Sequence, residues 1–363
     1  MHRVTILGSG NIGFIVALLL HNSQDYFVTV VARDKKRLAI IKELGINTKV
    51  CDLSQLKNYE MLFDDCDSVI SALPYYLNSA VAKAALNSGI NYFDFTEDVK
   101  TSQTIHRLSQ DAKSSQVFIP QCGLAPGFIS ILAFDLFKKF EEVHSIKMRV
   151  GALPKNPSNK ILYNLTWSTD GLINEYCNEC FAIKDSKLIT TQALEGLEKF
   201  SLDGLEYEAF NTSGGLGTLC DTLIDKVKEL NYKTIRYMGH RHFMDFLIND
   251  LYLGEEKRRV LLKDILEYAI PVTKQDVVLI FCSVTGIRNG KFEQITDVRK
   301  IYNQTLYNES LSSIQITTAS GLCAVMDMVV NNTIKQKGFI KQEDIPLEKF
   351  LHNRFGKVFN KQK

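Results

Sequence analysis

Over the first 125 residues, short apolar runs alternate with stretches of helical spacing. Val4–Leu7 is apolar and ends at a glycine, and Phe14–Leu20 is apolar in a helix-like way. Phe27–Ala32 is β-branched and apolar, and Lys35–Leu44 has helical spacing with Gly45 as its stop. The alternation continues with strands near Lys49–Cys51, Ser68–Leu73, Asn91–Phe95 and Val117–Gln121. Between them lie helices near Leu56–Phe63, Ser79–Asn87 and Ser102–Ser114. Regular strand–helix alternation specifies a parallel sheet with helices on both faces, so an α/β, Rossmann-type domain is expected over residues 1–125.

The pattern changes after an apolar helix at Phe128–Phe140. His144–Val150, Leu162–Trp167, Thr234–Tyr237 and Val277–Thr285 read as strands, and Leu219–Leu230 and Phe243–Leu251 as helices. Hairpin turns are expected around Lys184-Asp185-Ser186-Lys187 and at Asn289-Gly290. Residues 126–316 therefore form an expected α+β domain with a mostly antiparallel or mixed sheet. A long apolar helix over 317–336 opens a C-terminal segment, 317–363, expected to pack back on the first domain.

Composition narrows the functional classes. A net charge of +2, with the basic residues spread out, gives no footprint for nucleic acid. No apolar run in the sequence reaches membrane-spanning length, and Met1–Leu7 runs directly into a strand pattern, so no signal peptide is expected. The eight cysteines have no framework spacing, and Cys177-x-x-Cys180 has no second pair. Reduced thiols, no metal site and a cytoplasmic location are the expectation.

Gly8-Ser9-Gly10-Asn11-Ile12-Gly13 follows the first strand and opens the first helix, the context of a dinucleotide fingerprint. Gly8 serves the tight turn, Gly10 the backbone approach to pyrophosphate and Gly13 close helix–strand packing. The second strand ends Ala32-Arg33-Asp34. Arg33, where NAD enzymes place an acid, suits the 2′-phosphate of NADP; Asp34, one residue on, keeps NAD possible. Asp52, past the third strand, is counted with the cofactor residues, as are Leu73 and Pro74. Ligands of such sheets bind beyond the carboxyl ends of the strands, which here carry Leu73-Pro74-Tyr75-Tyr76, Asp94-Phe95-Thr96-Glu97-Asp98 and Cys122–Gly127.

A second glycine run, Thr212-Ser213-Gly214-Gly215-Leu216-Gly217-Thr218, lacks a surrounding βαβ unit. One dinucleotide per chain is therefore expected. The run opens the expected helix Leu219–Leu230, whose free N–H groups suit a substrate carboxylate.

Together with Trp167-Ser168-x-Asp170-Gly171 and Tyr232-Lys233-Thr234-x-Arg236-Tyr237-x-Gly239-His240, these motifs resemble the saccharopine dehydrogenase family, most closely its lysine 6-dehydrogenase branch. The resemblance covers nearly the whole chain. It implies a Rossmann domain, a second domain carrying substrate and subunit contacts, a homodimer or higher oligomer, and NAD(P)-linked oxidation at an amino-acid C–N bond. The glutamate-forming saccharopine branch carries an arginine near Leu162 and an Asn-Arg-Asp run where this chain has Asn211-Thr212-Ser213-Gly214. Their absence points to a smaller amine such as lysine, whereas Ala32-Arg33 resembles the NADP-using saccharopine branch.

The chemistry this implies is oxidative deamination or its reverse. An NADPH-dependent condensation of an amine with an aldehyde or oxoacid, or a non-catalytic dinucleotide-binding regulator, are the alternatives. Asp94 or Glu97 is expected to act electrostatically on the substrate ammonium and His240 to transfer a proton, with Asp98 also a candidate base. Tyr75 is expected to bond the substrate, and Arg236 to pair with its carboxylate, supported by Thr212, Ser213, Gly214 and Gly215.

Overall fold

The structure is a computed structural model that describes residues 1–113 and 115–361. The chain divides into two compact units, residues 1–131 with 317–358, and residues 132–316 with the chain end from Phe359.

The first unit opens with β1 (His2–Leu7), α1 (Asn11–Asn22), β2 (Tyr26–Ala32), α2 (Lys35–Glu43) and β3 (Asn47–Val50). It continues with β4 (Ser68–Ser71), α3 (Tyr75–Ser88), β5 (Asn91–Asp94), α4 (Val99–Ser109) and β6 (Val117–Ile119), before α5 (Phe128–Phe137). All pairings are parallel and the order is β6-β5-β4-β1-β2-β3, with the late strand Gly338–Phe339 beside β6. This is the doubly wound order, with β1 at the topological switch.

The register aligns the strand ends. Leu7 lies opposite Val31 and Ser71, Ala32 opposite Val50, and Ser71 opposite Asp94. The loops that follow these residues therefore share one edge. Of the expected helices, Leu56–Phe63 is reduced to the 3-10 turn Glu60–Leu62. α4 begins at Val99 and ends at Ser109, and Ser114 lies outside the described residues.

The second unit contains β7 (Glu142–Pro154), α6 (Thr169–Cys177), the hairpin β8 (Cys180–Lys184) and β9 (Lys187–Thr191), and the hairpin β10 (Glu198–Leu202) and β11 (Leu205–Asn211). These are followed by α7 (Leu219–Leu223), β12 (Val227–Tyr237), α8 (His240–Asp245), α9 (Arg259–Ala269), β13 (Asp276–Arg288) and β14 (Lys291–Tyr302). The sheet order is β10-β11-β12-β7-β13-β14, with β8 paired to β12 and β9 to β8. Only β12 against β7 is parallel within that order, so the sheet is mixed. Both expected turns form. Asp185 and Ser186 have φ of 50° and 59°, and Asn289 and Gly290 have φ of 52° and 70°, the left-handed pairs that suit a tight hairpin.

Three elements of the second unit differ from the sequence reading. The helix expected over Leu219–Leu230 stops at Leu223, and Val227 onward joins the sheet as β12. Pairing with β7 and β11 overrides the helical spacing of that stretch. Leu162–Trp167 forms no strand: Leu162 is left-handed at φ 54° and only Leu165 makes a bridge, to Val272. The helix expected over Phe243–Leu251 is split into α8 and a π-helical turn, Phe246–Asp250.

The helix Ser313–Val330 is long and apolar enough to cross a membrane by length and composition, and 83% of it is buried within the fold. That burial accounts for its apolar composition as a core helix.

Candidate functional site

The carboxyl edge of the first unit is built around β1. Gly8 has φ +106°, and a Cβ there would meet the Ala72 carbonyl oxygen at 2.6 Å. At Gly13 a Cβ would lie 2.2 Å from the Gly8 carbonyl oxygen, so α1 can cross this close to the turn only with glycine. At Gly10 a Cβ would meet nothing within 4 Å, which leaves the backbone open to a ligand. Gly10 is also the N-cap of α1 and no side chain caps the helix. Open backbone N–H groups at the positive end of a helix form a receptor for phosphate oxygens. Ser9 is buried in the turn, Asn11 is exposed and Ile12 half-buried.

Arg33 is exposed immediately past β2. Asp34 is engaged: its carboxylate accepts from the Lys36 and Arg37 backbone N–H groups at 3.0 and 3.1 Å and caps α2. Both bonds fall on Oδ1, so one oxygen of the carboxylate serves as the helix cap. Asp52 is likewise occupied, accepting from Ser54 N–H at 3.1 Å and Ser54 Oγ at 2.6 Å. Those bonds hold its carboxyl below the usual carboxylate range, and the Arg33 charge adds to the effect.

Sequence spacing did not mark Arg37, yet its Nη2 donates to Asn11 Oδ1 at 2.9 Å and its guanidinium lies 5.8 Å from the Phe14 ring centroid. This joins a second cation to the fingerprint helix. The i+4 step from Arg33 to Arg37 was the available signal.

Past β4, Leu73 lies against the Gly8 turn, 3.4 Å from a Cβ built there. Pro74 is the N-cap of α3 and Tyr75 its first residue, 42% exposed, with its ring edge-on to Tyr76. Past β5 the carboxylates separate by environment. Asp94 is fully buried. It accepts from Thr96 N–H at 2.8 Å, Gln121 N–H at 3.0 Å, Asn78 Nδ2 at 3.2 Å and Tyr92 Oη at 2.7 Å. Burial pushes its carboxyl up to about 6, against those donors. With both oxygens enclosed, Asp94 ties β5 to α3 and to the segment after β6. The substrate contact expected of it is not available. Asp98 caps α4 through Thr101 N–H at 2.7 Å. Glu97, between them, is half-buried.

The residues singled out in the second unit form an interior network. Arg236 and His240 are both buried. The Arg236 Nε donates to Tyr176 Oη at 2.8 Å, and its guanidinium lies 5.0 and 5.8 Å from the Tyr163 and Tyr176 ring centroids. Tyr176 Oη is 3.0 Å from His240 Nε2, and His240 Nδ1 is 2.8 Å from the Ile161 carbonyl. A carbonyl only accepts, so Nδ1 carries the hydrogen and Nε2 accepts the Tyr176 proton. Burial, with the Arg236 charge, lowers His240 to about 3. It is a neutral, fully bonded histidine, which overturns the proton-transfer role expected for it. Arg236 is enclosed by two tyrosines and the field of Glu175, whose carboxyl burial raises. It therefore does not present a fork to a substrate carboxylate.

The second glycine run is also inward-facing. Thr212 Oγ1 and Thr234 Oγ1 share a 2.7 Å hydrogen bond, and Ser213 Oγ donates to the Asn174 carbonyl at 3.0 Å. Gly214 is left-handed at φ +86°, and a Cβ on Gly215 would lie 2.4 Å from the Tyr232 ring. The close approach these glycines permit is to that ring. α7 spans Leu219–Leu223 alone, too short for the macrodipole expected of a longer helix.

Two family models together match most of the chain. Residues 4–119 match the family model described as saccharopine dehydrogenase NADP binding domain, and residues 123–361 match that of the saccharopine dehydrogenase C-terminal domain. Among curated relatives, the Saccharomyces cerevisiae saccharopine dehydrogenase [NADP(+), L-glutamate-forming] is 25% identical over 280 residues, covering 72% of this chain. The Rattus norvegicus mitochondrial alpha-aminoadipic semialdehyde synthase is 23% identical over 310 residues, covering 82% of this chain. The chain spans 61% and 32% of those two relatives' lengths. The solved apo saccharopine dehydrogenase (L-Glu forming) from S. cerevisiae superposes with a TM-score of 0.80 at 19% identity, covering 97% of both chains. A homospermidine synthase from Legionella pneumophila, solved in complex with NAD, gives 0.66 at 12% identity, covering 99% of this chain and 90% of that one. These two structural likenesses are likenesses of fold.

Proposed function

The chain belongs to the saccharopine dehydrogenase family, and we propose that it is an NADP(H)-dependent oxidoreductase acting at a C–N bond of an amino acid. The observation that carries this reading is the open Gly10 backbone together with Arg33, exposed immediately past β2. The residues fit the cofactor: Gly8–Gly13 would hold the pyrophosphate, and Arg33 would pair with the 2′-phosphate. When bound, the nicotinamide supplies a hydride acceptor or donor.

The chain's own residues supply the rest. Leu73 and Pro74 wall the turn beside β1, and Tyr75 offers a hydroxyl at the same edge. Glu97 stabilises the substrate ammonium and takes its proton, since the amine must be neutral before hydride departs. Asp94 keeps the Thr96 and Gln121 segments in place beneath it.

An amine smaller than saccharopine is the favoured substrate, in lysine 6-dehydrogenase-like oxidation or its reverse. Arg236, Thr212 and Ser213 are all engaged internally, so the residues the sequence marked for carboxylate recognition do not provide extra clamps. Reductive condensation of an amine with an oxoacid is the second reading, favoured by the NADP-type end of β2. Initial rates at the reduced-nicotinamide absorbance band separate the two. Lysine with NADP⁺ turning over faster than saccharopine with NADP⁺ supports the first reading. Turnover with saccharopine alone transfers support to the second, and turnover with neither removes the proposed activity.

A further inference from the structure

A phosphate monoester such as the 2′-phosphate of NADP carries a charge of about −1.5 to −2 near neutral pH. Arg33 brings one positive charge to the end of β2, and Asp52 already lies within its field. A single guanidinium shared with a carboxylate leaves much of the phosphate charge unanswered.

α2 supplies a second cation. Arg37 lies in its first turn, four residues past Arg33, and is half-buried. Its guanidinium reaches the start of α1: Nη2 donates to Asn11 Oδ1 at 2.9 Å, and the Phe14 ring centroid lies 5.8 Å away. Asn11 directly follows Gly10, whose backbone is open. Arg37 thus joins the element past β2, where the adenosine ribose of a dinucleotide lies, to the helix start that receives its pyrophosphate.

Two features set this arginine apart from an ordinary surface charge. Its donors are uncommitted. The carboxylate of the same turn, Asp34, accepts from the Arg37 backbone N–H and not from its side chain. Among the described residues no carboxylate pairs with the Arg37 guanidinium, and its Nε and Nη1 have no protein acceptor. Arg37 is also held in place. A long side chain loses much rotamer freedom when it binds a ligand, and the Asn11 amide and the Phe14 ring remove part of that freedom beforehand. Lys35 and Lys36, the other cations of the turn, are exposed and have no such anchors among the described residues.

We infer that Arg37 is a second cation on the 2′-phosphate of NADP(H), closing on it from the α1 side while Arg33 approaches from β2. The inference rests on the NADP(H) reading above and adds to it a residue that selects the cofactor. Calorimetric titration of the full chain with NADPH and NADH tests it. Arg37→Ala is expected to weaken NADPH by about tenfold, the effect of a charge-assisted bond, and to leave NADH within about twofold of wild type. Arg37→Gln keeps an N–H for Asn11 but no charge, and is expected to lose NADPH affinity as Arg37→Ala does. Both variants are expected to unfold as cooperatively as wild type. The Arg33→Ala, Arg37→Ala double variant is expected to bind NADPH no more tightly than NADH. Equal weakening of NADPH and NADH by Arg37→Ala would place the guanidinium on the pyrophosphate and overturn the assignment. Wild-type NADPH affinity in Arg37→Gln would reduce Arg37 to a tie between α1 and α2 and overturn it too. A wild type with no preference for NADPH overturns the cofactor reading itself, a failure visible before any variant is made.

Discussion

The two glycine runs are near-copies in letters and opposites in structure. In the first, α1 runs twelve residues from an N-cap with no side-chain partner, and the space above Gly10 is empty. In the second, α7 lasts five residues, and the space above Gly215 is filled by the Tyr232 ring. The first run sits between two parallel strands at a topological switch; the second joins β11 to β12, which pair with each other antiparallel. Glycine spacing therefore reports a backbone approach, and the surrounding topology determines whether a ligand or a side chain makes it.

Substitutions can break this contrast. Gly13→Val carries the largest expected effect. Its Cβ would fall on backbone rather than a movable side chain. A loss of more than ~3 kcal/mol in chemical denaturation, or no folded protein, is expected. Gly215→Ala is expected to cost about 1–3 kcal/mol by overpacking the Tyr232 ring, with NADPH affinity unchanged. A loss of NADPH affinity on Gly215→Ala would make the second run a nucleotide site.

His240 sharpens the inward-facing half of the comparison. Folded, it binds a proton only near pH 3, whereas its ordinary value is 6.5. The stability it supplies is therefore complete above about pH 6.5 and is lost as pH falls towards 3, with a slope of up to ~1.4 kcal/mol per pH unit. His240→Gln is expected to flatten that slope in urea titrations across this range while leaving the pH profile of kcat in place. Loss of a limb of the kcat profile would return His240 to proton transfer. The smallest stability effect belongs to Gly10→Ala, where the added methyl meets no atom. Melting should stay within ~0.5 kcal/mol of wild type while NADPH binding weakens by about tenfold, or ~1.4 kcal/mol.

What the sequence disclosed and what it concealed follow from the range of the interactions involved. The parallel sheet, the fingerprint and the turns at Asp185-Ser186 and Asn289-Gly290 are local patterns, and they were legible. The β10–β11 hairpin also carried a local signal, Asp203-Gly204, that went unused; both residues are left-handed, at φ 52° and 77°. The stretch after Leu223 kept helical spacing but became β12 because two neighbouring strands supply its hydrogen bonds. Asp94 looked catalytic from its place past a strand. Its four donors come from α3, β5 itself and the turns after β5 and β6, and no spacing in the sequence shows that they converge. His240 and Arg236 likewise lie in one motif, while Tyr176 and Ile161, which occupy them, lie more than fifty residues earlier in the chain.

The central claim is one NADP(H) site per chain, built on Gly8–Gly13 and selected by Arg33. Calorimetric titration of the wild type and of Arg33→Ala with NADPH and NADH tests it most directly. One NADPH per chain is expected, bound more tightly than NADH. Arg33→Ala should weaken NADPH by about 10- to 100-fold, the value of a hydrogen-bonded charge pair, and leave NADH unchanged. A stoichiometry of two, or NADH bound as tightly as NADPH by the wild type, would contradict the account.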